Sequence, residues 1–335
     1  MILAGDIGGT HARLALFTAS AGALAIHAQQ SYASHLFASL QDVIQAFLRD
    51  HPAAVEAACF GVAGPVIRNR ATATNLAWEI DGAILSQALQ LPPVLLLNDL
   101  AAYAYGALAL PPQDCVMLQA GAAAEGNRAL IAAGTGLGIS GILWRGGRHW
   151  PMAAEGGHAD FAPIDDLGVD LYRYVRAKFG RASFERVLSG PGLQNIFEFL
   201  RDTGRAPQPP ELAAELAHSA DIPAAISAHG LAGDYAICEQ AVEIFCRYYG
   251  ACAGNTALNF MATGGLYVGG GIAIRMLART ETQKFLEAFN SKGRLTAVLQ
   301  AIPVILINNE YTGLIGAAHA AADSLATDRQ LTIGN

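Results

Sequence analysis

Charged residues are scarce in this chain, and nowhere do lysines and arginines gather into a basic stripe. Only 15% of the 335 residues are charged, and the formal net charge is −7. A nucleic-acid partner is therefore not expected, because phosphate backbones are held by clustered positive charge. Long apolar runs are missing as well. No stretch approaches the roughly 20 apolar residues that cross a bilayer, and the first residues lack the basic start and apolar core of a secretory signal. The expectation is a cytoplasmic protein with no membrane partner. Cysteine is sparse: Cys59, Cys115, Cys238, Cys246 and Cys252 include no C-x-x-C pair and no Cys/His cluster. Buried reduced thiols are expected, and a structural zinc site is not. What the chain has in abundance is apolar side chains, at 53%. That is ample for large cores and argues against disorder. The length suggests two domains, at about 150 residues each.

Residues 2–17 run from an apolar stretch into Asp6, then a Gly8-Gly9-Thr10 turn, then an alternating apolar stretch. This is the pattern of a β-hairpin whose glycines take φ > 0 and let a ligand approach the backbone. A Thr hydroxyl and successive N–H groups suit phosphate oxygens, and Asp6 is placed to hold a cation beside them. The same stretch also reads as an ordinary tight turn. Periodicity then predicts a strand over 24–32, a one-faced helix over 36–48, and a strand over 57–62 that stops at Gly64-Pro65. A helix over 80–91 follows with Asp81 as N-cap, then a wholly apolar strand over 94–97 of the doubly covered parallel kind. That strand ends abruptly in Asn98-Asp99, with a helix over 100–108.

The pattern then restarts with a strand over 129–133, the turn Gly134-Thr135-Gly136-Leu137-Gly138, and a strand over 139–144. Helices are predicted over 166–179, 190–203, 210–217 and 234–258. A strand over 266–268 runs into Gly269-Gly270-Gly271 and another helix, followed by a last strand over 303–307 and a last helix over 310–321. Two α/β halves, each opening on a hairpin with a Gly/Thr tip, imply a cleft between them.

Asn98-Asp99 stands at the carboxyl end of a buried parallel strand, the edge where ligands bind in open α/β sheets. An Asp there can take the proton of a hydroxyl attacking phosphorus while the Asn bonds a neighbouring hydroxyl. Simple N-capping of the next helix by Asp99 accounts for the position equally well. Glu155-Gly156-Gly157-His158 places an acid and an imidazole together, as recognition of a ring of hydroxyls requires. A metal-binding Glu-x-x-His pair is disfavoured, because the two glycines oppose a helix and no companion ligands stand nearby. Gly134–Gly138 also resembles part of a dinucleotide fingerprint, but that fingerprint needs a helix where residues 139–144 alternate as a strand. Gly269–Gly271 suits either tight packing or the approach of a nucleoside.

Together these residues resemble the bacterial ATP-dependent glucokinases of the hexokinase/actin-like fold, in the zinc-free group. The resemblance is carried by G-D-I-G-G-T at 5–10, L-N-D at 97–99, A-G-T-G-L-G at 133–138 and E-G-G-H-A-D-F-A-P at 155–163. It continues through E-R-V-L-S-G-P-G-L at 185–193 and G-G-G-I at 269–272. It implies an α/β, two-lobed actin-like/ribonuclease H-like fold with a central cleft. The small domain would comprise 1–108 plus 304–335, and the large domain 109–303. It implies ATP-dependent phosphorylation of D-glucose, with ATP and Mg²⁺ required and the lobes drawing together on the sugar.

Asp99 would be the general base, with Asn98, Glu155, His158, Glu185 and Asn75 binding the sugar. Gly5, Asp6, Ile7, Gly8, Gly9 and Thr10 would hold the phosphates together with Gly134, Thr135 and Gly136. Asp6 would act near Mg²⁺ through water, and Gly270 would flank the adenosine. A homodimer is implied by analogy. Two departures stand out. His11 replaces the Asn that usually follows the G-G-T, and no cysteine follows His158 until Cys238, unlike the zinc-binding repressor/sugar-kinase group. Rival readings are a kinase for another hexose or amino sugar, a non-catalytic sugar sensor, and an actin- or chaperone-like ATPase.

Overall fold

The computed structural model describes residues 1–20, 23–72, 78–122, 124–277 and 282–333. The chain divides into two compact units. One comprises Met1–Pro111, Pro151–Ala153 and Asn309–Asn335, the other Pro112–Trp150 and Ala154–Asn308.

The first unit is built on β1 (Ile2–Ile7), β2 (His11–Ser20), β3 (Ala23–Ala33) and β4 (Ala57–Val62). A small antiparallel sheet follows, of β5 (Val66–Ile67), β6 (Arg70–Thr72) and β7 (Glu79–Asp81), before β8 (Val94–Asn98) completes the main sheet. The order of that sheet is β3-β2-β1-β4-β8, antiparallel across the hairpin and parallel from β1 to β4 to β8. Period-two alternation explains why it is covered on both faces. Leu3 and Ile7 point into a core with Val43, Ile44 and Phe47 of the helix Leu40–Asp50. Ile2 and Ala4 face Ala102, Leu314 and Ala317 of the helices Asp99–Ala109 and Thr312–Ile333.

The second unit repeats this plan. Its strands are β9 (Cys115–Gln119), β10 (Arg128–Ala133), β11 (Leu137–Arg145), β12 (Arg148–Met152), β13 (Gly265–Gly269) and β14 (Val304–Ile307). They run in the order β12-β11-β10-β13-β14-β9. Setting β9 aside, this is the same sequence of pairings: a hairpin extended by one antiparallel strand, then two parallel strands. The echo of the opening hairpin thus extends to the whole sheet. Helix Ala236–Phe260 packs on it, and helix Gly190–Asp202 packs on that helix. Cys238, Cys246 and Cys252 lie buried on Ala236–Phe260 and are free thiols. Burial pushes the Cys238 and Cys252 thiols up to about 12, so they stay protonated and unreactive.

The predicted elements are found with shifts of a few residues at their ends, except the last helix, which is expected over 310–321 and runs over Thr312–Ile333. The helix expected over 80–91 begins only at Gly82, because Asp81 caps it by accepting from the Ala83 and Ile84 N–H groups. The helix expected over 36–48 begins at Leu40, where Ser39 caps it and a short 3-10 turn occupies Ser34–Leu36. Helix Ile222–Ala232 is an element that the sequence reading does not include. Pro223 stands in the first turn, where no N–H is needed, behind the cap Asp221.

Asp165 caps helix Asp166–Phe179 through the Gly168 N–H at 2.8 Å. Its other contacts are Tyr248 Oη and Arg247, each at 2.6 Å. Burial alone would raise the Asp165 carboxyl, but these hydrogen bonds outweigh it and hold the group below the ordinary carboxylate value. A depressed folded-state pKa contributes stability above the unfolded value of about 4, and that stability is lost as pH falls through the folded-state value. Asp165→Asn is therefore expected to lower stability by about 1–2 kcal/mol at pH 7. Thermal unfolding across pH should show its gap from wild type closing below about pH 4.

Candidate active site

In the first unit the hairpin tip is closed by Gly8 N–H donating to His11 C=O at 2.9 Å. Neither Gly8 nor Gly9 has φ in the left-handed region. At Gly8 room is tight instead, for a Cβ there would lie 3.3 Å from the His11 carbonyl. Buried Ser34, which the sequence did not single out, braces the tip from the 3-10 turn that follows β3. Its hydroxyl donates to Gly8 C=O and its N–H to Thr10 C=O, both at 2.9 Å. Gly5 answers to packing, since a Cβ there would lie 2.5 Å from the Phe60 ring and 2.8 Å from Leu14. Ile7 is buried in the core, so only its backbone is available at the tip.

Asp6 stands directly opposite Arg13 across the hairpin, 3.9 Å from its guanidinium. Burial pushes the Asp6 carboxyl above its ordinary value, and Arg13 pulls it back. Gly313 makes room beside it, for a Cβ there would be 3.4–3.5 Å from the carboxylate. His11 is exposed at the start of β2 and lines a hollow of about 310 Å³ with Arg13, Gln29 and Tyr311.

Asn98 ends β8 and is the true N-cap of the next helix. Its Oδ1 accepts from Leu100 N–H at 3.1 Å and Ala101 N–H at 3.3 Å, while its amide donates to Gly64 C=O at 3.1 Å. Asp99 is then the first residue of helix Asp99–Ala109, half-buried, with Oδ1 accepting from the Leu100 N–H at 2.9 Å. Capping is therefore not what position 99 is reserved for. Asn75 lies outside the described residues.

In the second unit Glu155, His158 and Glu185 come together. His158 ends the 3-10 turn Gly156–His158. Its Nε2 lies 3.9 Å from Glu155 Oε2 and its Nδ1 lies 3.8 Å from Glu185 Oε1. These separations exceed a hydrogen bond, so each polar atom keeps capacity for a hydroxyl. All three side chains are 30–58% exposed. The Glu185 backbone N–H donates to Gly157 C=O at 2.9 Å, which ties the two segments together.

Beside this cluster lies a cavity of about 420 Å³. Gly134 and Thr135 form one wall, Gly190 and Pro191 another, and Asp221 to Ser227 a third, with Gly271, Ile272 and Arg275 opposite. The first turns of helices Gly190–Asp202 and Ile222–Ala232 both border it. Nothing stands within 4 Å of a Cβ on Gly134, so the turn faces open space. Gly270, at φ 87°, passes so close to Ala133 that a Cβ would lie 2.2 Å from its carbonyl. It shapes the end of β13 by backbone approach. Helix Ile222–Ala232 and its Ser227 were missed in the sequence. The Asp-x-Pro start at Asp221 was the available signal.

A glucokinase family model matches residues 3–324. A glucokinase of Nostoc sp. is 42% identical, over 96% of this chain and 99% of its own. The chain belongs to the glucokinase family. A glucokinase of Chromobacterium violaceum is 38% identical over 97% of this chain and 90% of its own. Among solved structures, a glucokinase from an Antarctic psychrotroph is 32% identical with a TM-score of 0.83, covering 96% of this chain and 98% of the other. A ROK family glucokinase from Streptomyces griseus shares the fold at 24% identity and TM-score 0.65, covering 96% and 99%. The fold is thus the actin-like ATPase fold of the glucokinase and ROK sugar kinases, consistent with the repeated sheet. No helix among the described residues is long and apolar enough to cross a membrane.

Proposed function

We propose that Asp99 is the general base of the ATP:glucose phosphotransfer that glucokinase-family membership assigns to this chain. Asn98, Glu155, His158 and Glu185 bind the sugar in this reading, with Asn75 a further sugar contact. The Asp99 carboxylate takes the proton of the glucose 6-hydroxyl as its oxygen attacks the γ-phosphorus. The O–P bond to glucose forms as the bond to the ADP oxygen breaks, and ADP leaves. What supports the reading of the sugar and nucleotide sites most is that a nucleotide-sized cavity and a polyol-type cluster meet at one glycine turn, 134–138, within the second unit. For Asp99 the support is that Asn98, not Asp99, caps the helix.

The cavity suits a nucleotide in its charge pattern. Helix N-termini carry partial positive charge, which favours phosphates beside Gly134, Thr135, Gly136 and Gly190. Asp221 spends Oδ1 on capping Ala224 N–H at 3.0 Å and adds negative charge, so ribose hydroxyls and not phosphates suit that end. Gly270 and Gly271 flank the adenosine. Asp6, Gly8, Gly9 and Thr10 are further phosphate-binding residues in this reading, with Gly5 and Ile7 supporting the tip.

The desolvated carboxylate of Asp6 fits a neighbouring Mg²⁺, because hard oxygen ligands suit that ion and a cation relieves the burial. When bound, the ion would neutralise charge on the phosphates, and Asp6 would hold its water ligands in place. A cytoplasmic homodimer completes the reading, and sedimentation tests the dimer.

ADP release with ATP, Mg²⁺ and a panel of hexoses tests the function. Turnover should depend on sugar and be fastest with glucose, and sugar-independent release would overturn the reading. Gly134→Val probes the cavity. Its side chain has space in the fold but enters the cavity, so the KM for ATP should rise about tenfold or more while Tm and the KM for glucose stay near wild type.

A further inference from the structure

Glu185 does two things at once in this structure. Its Oε2 accepts the Leu137 N–H at 3.0 Å, at the far end of the glycine turn, while Oε1 faces His158. Gly136 is shaped by the same carboxylate, since a Cβ there would lie 2.6 Å from Oε2. The neighbouring backbone reinforces the link. Gly190 N–H donates to Gly134 C=O at 2.9 Å, and Ser189 Oγ donates to Glu185 C=O at 2.7 Å. Gly157 packs so tightly on Leu137 that a Cβ would lie 1.9 Å from its carbonyl. Leu137 is therefore held from both sides by the segments that carry Glu185 and His158.

We infer that Glu185 is a positioning residue for the nucleotide as well as a sugar ligand, one carboxylate oxygen fixing the 134–138 turn while the other receives a sugar hydroxyl. This rests on the reading that sugar and nucleotide both use this unit. A charge-assisted bond to a backbone N–H is a strong one, and here it helps to fix the turn whose Gly134 and Thr135 border the cavity. Sugar and nucleotide sites are then joined by a single side chain, without any intervening network.

The test is nucleotide binding with glucose absent, where a pure sugar ligand has no effect. Calorimetric titration with a non-hydrolysable ATP analogue and Mg²⁺ is the readout. Glu185→Ala should weaken binding about fivefold to tenfold. Glu185→Gln should stay within about twofold of wild type, because its amide oxygen can still accept from Leu137, although its glucose affinity falls. Gly136→Ala should displace the carboxylate, leave the fold intact, and weaken both ligands. Wild-type analogue affinity in Glu185→Ala overturns the inference. If that variant does not fold, wild-type affinity in Gly136→Ala overturns it instead. Failure of the unaltered protein to bind either glucose or the analogue would overturn the functional reading beneath it, which is a separate result.

Discussion

Asp99→Asn is expected to lower kcat by about 10²–10⁴-fold while the KM for glucose changes by no more than about threefold. The substitution preserves shape, and the amide oxygen can still accept from the Leu100 N–H as Asp99 does at 2.9 Å. The helix does not depend on the charge either, because Asn98 supplies the cap. Lost turnover can therefore be assigned to the lost proton acceptor and not to unfolding. ADP release at saturating ATP and glucose, with Tm measured alongside, separates the two. Unchanged kcat with unchanged Tm would remove Asp99 from the role of base. Glu155→Gln should behave differently, raising the KM for glucose more than it lowers kcat.

The second large effect comes from a helix contact one turn along from Asp99. Gly316→Ala should destabilise the protein by about 3 kcal/mol and reduce kcat by about tenfold or more. Helices Asp99–Ala109 and Thr312–Ile333 approach so closely that a Cβ on Gly316 would lie 1.7 Å from Ala102 C=O and 2.5 Å from Gly106 N. Gly106 is hemmed in reciprocally, since a Cβ there would lie 1.9 Å from Thr312 C=O. Replacing glycine by alanine in a helix ordinarily gains about 1 kcal/mol. Here backbone meets backbone, so neither side can yield without the helices separating, and the clash wins. Asp99 opens one of those helices, which is why activity falls with stability. Chemical denaturation and the same ADP assay check both parts. A variant as stable and active as wild type would mean that the helices slide apart freely.

Much of this was legible because it is local. Strand period, cap residues and the glycine turns are written within a few neighbouring residues. Hence the hairpin at 2–17, its echo at 129–144 and the Asp81 cap could be read directly. The small sheet β5-β6-β7 was not predicted, nor was helix Ile222–Ala232. The strands are too short to show a period, and that helix has no clear apolar stripe to set it apart. The role of Asn98 as cap, and not Asp99, needed coordinates. Adjacent residues of the same capping type cannot be told apart by position.

The sequence by itself determined the α/β character, the two glycine-tipped hairpins, and which residue types stand as candidates for phosphoryl-transfer chemistry. All of these follow from residue type and short-range order. Only the tertiary structure decided what those residues face. It made Gly5 a packing residue, gave Gly316 to a helix contact more than 200 positions away in sequence from Ala102, and put Glu185 on Leu137. The physical reason is that close backbone approach and shared carboxylates are pairwise distances between segments remote in the chain, and no single segment encodes them.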